Sequence, residues 1–193
     1  LRNGAASVHG GAILAGEGDR TIDRVTFENN VADSGGGLFL QDTSFTIRSS
    51  TLRNNRAAWR GGALYVSFFG THIVTGTTFT GNSAREGGAV RVTNGPFVTT
   101  NSTLSGNSVS SSASGSALHL QGATAFLSFV TAADNEGAAV SRGGTLLRLK
   151  ASVPADQGWD ECDDGPVFAD DASCGSNVTV VPTLRTTLGP LAN

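Results

Sequence analysis

The chain has 193 residues, 26 of them Gly, with five Pro, one Tyr and no Met, and charged residues make up only 15%, against roughly a quarter in an average globular domain. Net charge is −3 with no run of Lys or Arg, which argues against nucleic acid as a partner. No apolar stretch approaches the roughly 20 residues of a membrane-spanning helix, and no signal peptide is visible. The length suffices for one domain with its own core. The missing initiator Met and a start partway through a repeat point to a processed or excised fragment of a larger protein or assembly.

In chain order, the first element is a half-phrase, Gly10-Gly11-Ala12-Ile13. A full phrase follows: Thr26-Phe27-Glu28-Asn29-Asn30, then Gly35-Gly36-Gly37-Leu38. It returns about every 26 residues, starting at Thr51, Thr78 and Thr103, with a degenerate copy at Thr131. Fixed-period self-similarity is the signature of a solenoid. Three apolar columns run through the copies. The first holds Ile13, Leu38, Leu64, Val90, Leu118 and Val140, with a second inward position two residues on. The others hold Phe27, Leu52, Phe79, Leu104 and Ala132, and Ile22, Ile47, Val74, Thr99 and Leu127. Between the paired inward positions lie Leu14, Phe39, Tyr65, Arg91, His119 and Ser141, which share no chemistry. The alternation has period two and predicts at least two short strands per repeat, with this middle column outward.

The predicted fold is therefore all-β: a single-stranded parallel β-helix of about six rungs over residues 1–150. The Asn column (Asn30, Asn55, Asn82, Asn107, Asn135) sits at a corner, where Asn suits left-handed backbone and can hydrogen-bond its copy in the next rung. The Gly pairs allow tight turns. The Thr column faces out. After Lys150 the pattern stops. Residues 151–193 hold four of the five Pro and both Cys, and read as a C-terminal cap over the last open edge. Cys162 and Cys174 lie in this polar stretch and are expected to form a disulfide in an oxidising compartment. Asp160, Asp163, Asp164, Asp170 and Asp171 are a candidate structural Ca²⁺ group, without the spacing of a dedicated calcium loop. No other cofactor is expected.

The alternation of Gly-Gly-Ala-[Ile/Leu/Val] (residues 10–13, 61–64 and 87–90) with Phe-x-x-Asn (Phe27–Asn30, Phe79–Asn82) resembles the repeats of polymorphic outer-membrane proteins. The resemblance covers roughly residues 1–145, with Leu52 and Leu104 standing where that pattern has Phe. It implies a right-handed β-helix of the pectate-lyase-like kind. The ending, Asp170-Asp171-Ala172-Ser173-Cys174-Gly175 and later Leu188-Gly189-Pro190, is similar to the close of β-helices in bacterial "choice-of-anchor" surface proteins. Together they imply an extracellular, cell-surface or outer-membrane protein of a bacterium, with the periplasm as the alternative. The implied role is that of an adhesin, passenger fragment or envelope subunit with a protein or glycan partner.

Parallel β-helices also carry polysaccharide lyases and hydrolases, which need paired carboxylates or acid-bound Ca²⁺. The acids here do not stack: Glu28 meets Arg53, Thr80 and Ser105, and Asp23 meets Arg48. Nothing in the sequence pairs His9, His72 or His119 with Ser or Cys as a triad would. The chain is accordingly read as non-enzymatic, with a carbohydrate-active β-helix as the alternative. The contact surface is assigned to Phe39 and Tyr65 on successive rungs and to Trp59, Phe68 and Phe69 at the corners of one rung.

Overall fold

A computed structural model describes residues 1–68, 70–111, 114–143, 146–150, 152–154, 167–169 and 179–180. Among these the chain is a parallel β-solenoid without helices. One turn runs through Leu38–Gln41, Phe45–Arg48, Thr51–Arg53 and Arg56–Arg60. The next runs through Leu64–Ser67, His72–Thr75, Thr78–Thr80 and Ser83–Ala84. Each turn thus has four strands where the alternation predicted at least two. They stack into sheets of twelve, six and four strands. The large sheet holds the first two strands of each turn, which fuse into Val90–Thr100 and Leu118–Ser128 further along. The six-stranded sheet holds the threonine column in register, from Thr26 and Thr51 through Thr78 and Thr103 to Thr131. The four-stranded, short sheet closes the turn.

The corners are made by left-handed residues. One column is Arg24, Ser49, Gly76, Asn101 and Phe129, with φ of 54, 48, 54, 48 and 55°. Another is Asn29, Asn54, Gly81, Gly106 and Asp134. The residues the sequence assigned to left-handed geometry are therefore one position late: the ladder asparagines follow the left-handed residue. The reason is that the amide must point inward to meet its copies, and the residue before it makes the bend. Gly and short polar side chains adopt this region most readily, which suits Ser49, Gly76 and Asn101; Arg24 and Phe129 hold the same geometry against that preference. The second Gly of each pair has a different task. A Cβ at Gly62 would lie 2.1 Å from the Gly88 carbonyl oxygen and 2.6 Å from that of Ser83. Backbone packs on backbone there, and no side chain fits.

The three apolar columns form one core. Leu38, Leu64, Val90, Leu118 and Val140 are in register and buried. Ile47, Val74, Thr99 and Leu127 form a second buried column, also in register. Phe27, Leu52, Phe79, Leu104 and Ala132 form the third, which ends on its smallest residue, and a void of ≈ 10 Å³ lies where Phe79, Leu104 and Ala132 meet.

Two polar ladders run inside. Asn30 Nδ2 donates to Asn55 Oδ1 at 2.8 Å, Asn55 to Asn82 at 3.0 Å, Asn82 to Asn107 at 3.0 Å and Asn107 to Asn135 at 2.9 Å. Each Oδ1 also accepts the backbone N–H of the preceding asparagine. The second amide proton goes to the carbonyl of the apolar residue one rung back, as from Asn82 to Leu52 at 2.9 Å. Every amide group in the middle of the ladder is satisfied, as burial demands. The second ladder was not read from the sequence. Ser50, Ser102 and Ser152 accept the backbone N–H groups of Val25, Thr77 and Val130. Its signal is a column of small or β-branched residues just ahead of each repeat threonine.

Pairing continues past Lys150. Val153–Pro154 adds to Thr131–Ala133, and Val167–Ala169 adds to Leu146–Lys150. The disulfide expected between Cys162 and Cys174 lies outside the described residues. So do the calcium candidates Asp160, Asp163, Asp164, Asp170 and Asp171, along with Phe69 and most of the expected cap.

Candidate functional site

The middle column of the large sheet is where the structure departs most from the sequence reading. Phe39 and Tyr65 do point away from the core, but they are only 3% and 6% exposed. They therefore offer no contact surface, which corrects their assignment as binding residues. The short sheet meets the large sheet at a concave corner, and side chains from both fill it. His9 stacks on Phe39 with ring centroids 4.2 Å apart, and Phe39 meets Tyr65 edge-on at 5.0 Å. Leu14, at the uncovered end of the column, stays 60% exposed. Alternation predicts which way a side chain points; it is silent on what a neighbouring strand lays over it.

The same corner continues as a polar cluster. Arg91 is buried, and its Nη1 lies 2.6 Å from Glu86 Oε2, while Arg60 approaches the same carboxylate at 3.7 Å. Arg91 Nη2 donates to Gln121 Oε1 at 2.5 Å. Burial lowers the Arg91 pKa from its ordinary value, with Glu86 opposing. Burial alone would raise the Tyr65 hydroxyl, but neighbouring Ser67 and Thr93 and the guanidiniums of Arg60 and Arg91 outweigh it, so its pKa is lowered. Further along, His119 Nδ1 lies 3.0 Å from Ser114 Oγ and 2.5 Å from Ser141 Oγ. Burial, aided by Arg91, lowers the His119 pKa to about 4. This Ser–His contact is not legible in the sequence, because Ser114 lies five residues back in a bend and Ser141 lies 22 residues on in the next rung's strand. Ser114 and Ser141 are 2% and 1% exposed, so neither hydroxyl can reach a substrate. The cluster pairs most of its buried polar groups, as burial demands, although Arg91 Nε and Thr93 Oγ1 find no hydrogen-bond partner. His72 differs: it sits in the core, stacked on Phe45 at 4.9 Å, and neither ring nitrogen makes a well-formed hydrogen bond. Burial lowers its pKa to about 4, only partly offset by the Phe68 carbonyl.

The exposed aromatic candidates are Trp59 and Phe68, at 51% and 45%. Phe68 occupies a left-handed corner at φ 73°. Trp59 sits on a bulge, where Ala32 and Ser34 pair with Ala57 and Arg60, so that the Arg56–Arg60 strand carries one residue more than its neighbour. Bulges re-aim side chains, and this one turns the indole outward beside Arg85, whose guanidinium carbon is 5.0 Å from the ring centroid. Beside this pair the short sheet forms a shallow groove of ≈ 430 Å³. Arg56, Ser83 and Ser108 line it in one register column, with Arg85 on the Trp59 side and Glu136 at the far end. Its floor is kept low by Ala57 and Ala84. Among the described residues, no group of three or more His, Cys, Asp or Glu could hold a metal ion.

Two stretches of the solenoid are similar to a known repeat. Residues 24–41 and 76–93 match the Chlamydia polymorphic membrane protein repeat. Each matched stretch starts at a left-handed corner, runs through the apolar column and the ladder asparagine, and ends on the large sheet. No curated protein and no solved structure matches the chain. Among the described residues no helix is long and apolar enough to cross a membrane.

Proposed function

We propose that this chain is a non-enzymatic extracellular β-helix displayed at a bacterial surface, acting as an adhesin, a passenger fragment or a structural part of an envelope assembly. The observation that carries the reading is the match of two turns to the polymorphic membrane protein repeat, on a solenoid whose outward positions change from rung to rung. The repeated residues are consumed by ladders, corners and core, while the variable ones present Trp59, Phe68, Arg56 and Arg85 to solvent. Solenoids of this kind bind along their sides. Beads coated with the chain are expected to attach to cultured cells well above albumin-coated beads. Attachment no better than albumin would overturn the adhesive reading.

The alternative is a carbohydrate-active β-helix, favoured by the groove beside Trp59. That groove brings one carboxylate, Glu136, whereas glycoside hydrolysis by the usual routes takes two. Release of reducing ends or unsaturated products from acidic polysaccharides would decide for the enzyme.

A further inference from the structure

The groove on the short sheet has a chemistry that names its occupant. We infer that it binds an acidic saccharide, with the sugar's carboxylate against Arg56 and Arg85 and a sugar ring against Trp59. This deepens the surface-adhesin reading and rests on it for its biological setting.

Charge is the first argument. Four exposed arginines are matched to acids: Arg24 and Arg48 to Asp23, Arg53 to Glu28, and Arg60 to Glu86, which also holds the buried Arg91. Among the described residues Arg2, Arg20, Arg56 and Arg85 are in no ion pair, and of these Arg56 and Arg85 border one groove together. Two exposed guanidiniums without carboxylates present fork-shaped donors to an anion, the geometry that suits a carboxylate best. The solenoid elsewhere pairs an arginine with an acid on the next rung, as with Asp23 and Arg48. In the Arg56 column the following rungs carry Ser83 and Ser108 instead.

The second argument is the rest of the wall. The Ser83 and Ser108 side chains make no hydrogen bond among the described residues. Their hydroxyls lie one and two rungs from Arg56, at roughly 4.8 Å per rung, a spacing close to that of successive rings in an extended glycan. Hydroxyl-lined walls of this kind match a polyhydroxylated ligand and have little to offer an apolar one. The third argument is Trp59. Its indole is pushed out by the bulge and held in place by Arg85, and a fixed exposed indole is a platform for the apolar face of a sugar. The groove's volume falls within the ordinary range for ligand sites. Glu136 closes the far end and disfavours a second negative charge there. It fixes the polarity: acid group at the arginines, neutral ring toward Glu136.

The test uses the whole chain with three probes: a hyaluronan hexasaccharide, neutral cellohexaose, and inorganic tripolyphosphate. Titration calorimetry should give binding of the hyaluronan fragment that weakens at least tenfold in the Arg56→Ala/Arg85→Ala double variant. Trp59→Ala should weaken it several-fold, and Glu136→Gln should leave it equal or tighter. Cellohexaose should bind at least tenfold more weakly. All four positions are at or near the surface, so an unchanged melting temperature certifies the fold of each variant. Binding that ignores the arginine substitutions overturns the proposal, as does equal affinity for cellohexaose. Tripolyphosphate binding as tight as hyaluronan would mean a general anion site and would equally overturn it. The bead assay separates the two readings. Attachment that survives in the double variant leaves the adhesin intact and removes this groove from it. Saccharide binding without attachment removes the adhesin and keeps the groove.

Discussion

Two buried columns of this solenoid solve the same problem in opposite ways. At the asparagine corner, one residue repeats five times, from Asn30 to Asn135, and each amide is satisfied by its own copies. At the concave corner, Phe39, Tyr65, Arg91, His119 and Ser141 are chemically unrelated, and contacts between column neighbours (Phe39 with Tyr65, His119 with Ser141) are supplemented from outside the column by His9, Glu86 and Ser114. Both columns are nearly sealed from water, His119 alone among the residues named being half-buried. Burial therefore does not require repetition. A column that bonds to itself must keep its residue in every rung, because one missing amide orphans the rungs on both sides. A column that bonds sideways can change residue whenever its local partner changes too.

The strongest way to break this contrast is at the ladder's centre. Asn82→Leu leaves the Asn55 amide and backbone N–H without an acceptor and the Leu52 carbonyl without its donor. It is expected to cost about 4 kcal/mol, from three buried groups at one to three each, read as a fall in the denaturant midpoint. A value below 1 kcal/mol would mean the ladder is replaceable.

His72 tests what a buried polar group costs without such a ladder. Its folded pKa, about 4, lies below the ordinary 6.5, so the unfolded chain binds the proton more readily. Stability is then full above pH 6.5 and falls as the pH drops toward 4, by about 3 kcal/mol for this residue. His119, with the same lowered value, adds to the loss in the same window. His72→Phe would extend the Phe45 and Phe97 column and should be more stable at pH 7, with a visibly shallower acid decline in urea melts. An unchanged pH profile would show that His72 does not titrate there.

At the concave corner, Glu86→Ala strands the buried Arg91 guanidinium. Partial exposure of Glu86 moderates the effect to about 2 kcal/mol, below the loss for a fully buried pair, measured by thermal unfolding. If Arg60 and Arg91 were the weaker partners, Glu86→Gln would cost as much as Glu86→Ala; the sideways scheme expects Gln to retain part of the bonding. Next comes Ala132→Val, which fills the void beside Phe79 and Leu104 and should stabilise by about 0.5 kcal/mol, well under the transfer gain of the two added carbons because the fit is tight. The smallest effect is at Asp23→Asn, which removes the pairs with Arg24 and Arg48. Both arginines are largely exposed, so the change should stay under about 0.5 kcal/mol. It marks the floor against which the buried columns are judged.

Much of the scaffold was legible in advance because it repeats. The inward columns at Leu38, Phe27 and Ile47 follow from period two and a constant interval. The ion pairs of Glu28 with Arg53 and Asp23 with Arg48 follow from the same interval. The candidate site was legible only in part. Trp59 stood out as an aromatic at a corner, and it is exposed. Phe39 and Tyr65 face outward as alternation requires and yet are covered, since the cover comes from Arg60 on a different sheet and from His9 and Glu86, which are bridged to that sheet's strands. The groove was invisible: Arg56, Ser83 and Ser108 are neighbours only once the register is known.

The sequence by itself determined the coil, its interval, its core and its asparagine ladder, because each is a nearest-rung interaction that recurs at one spacing. Only the tertiary structure decided how the sheets meet. That meeting sets which outward residues remain in water and which arginines find an acid. Those are properties of the angle between faces, which a one-dimensional repeat does not encode.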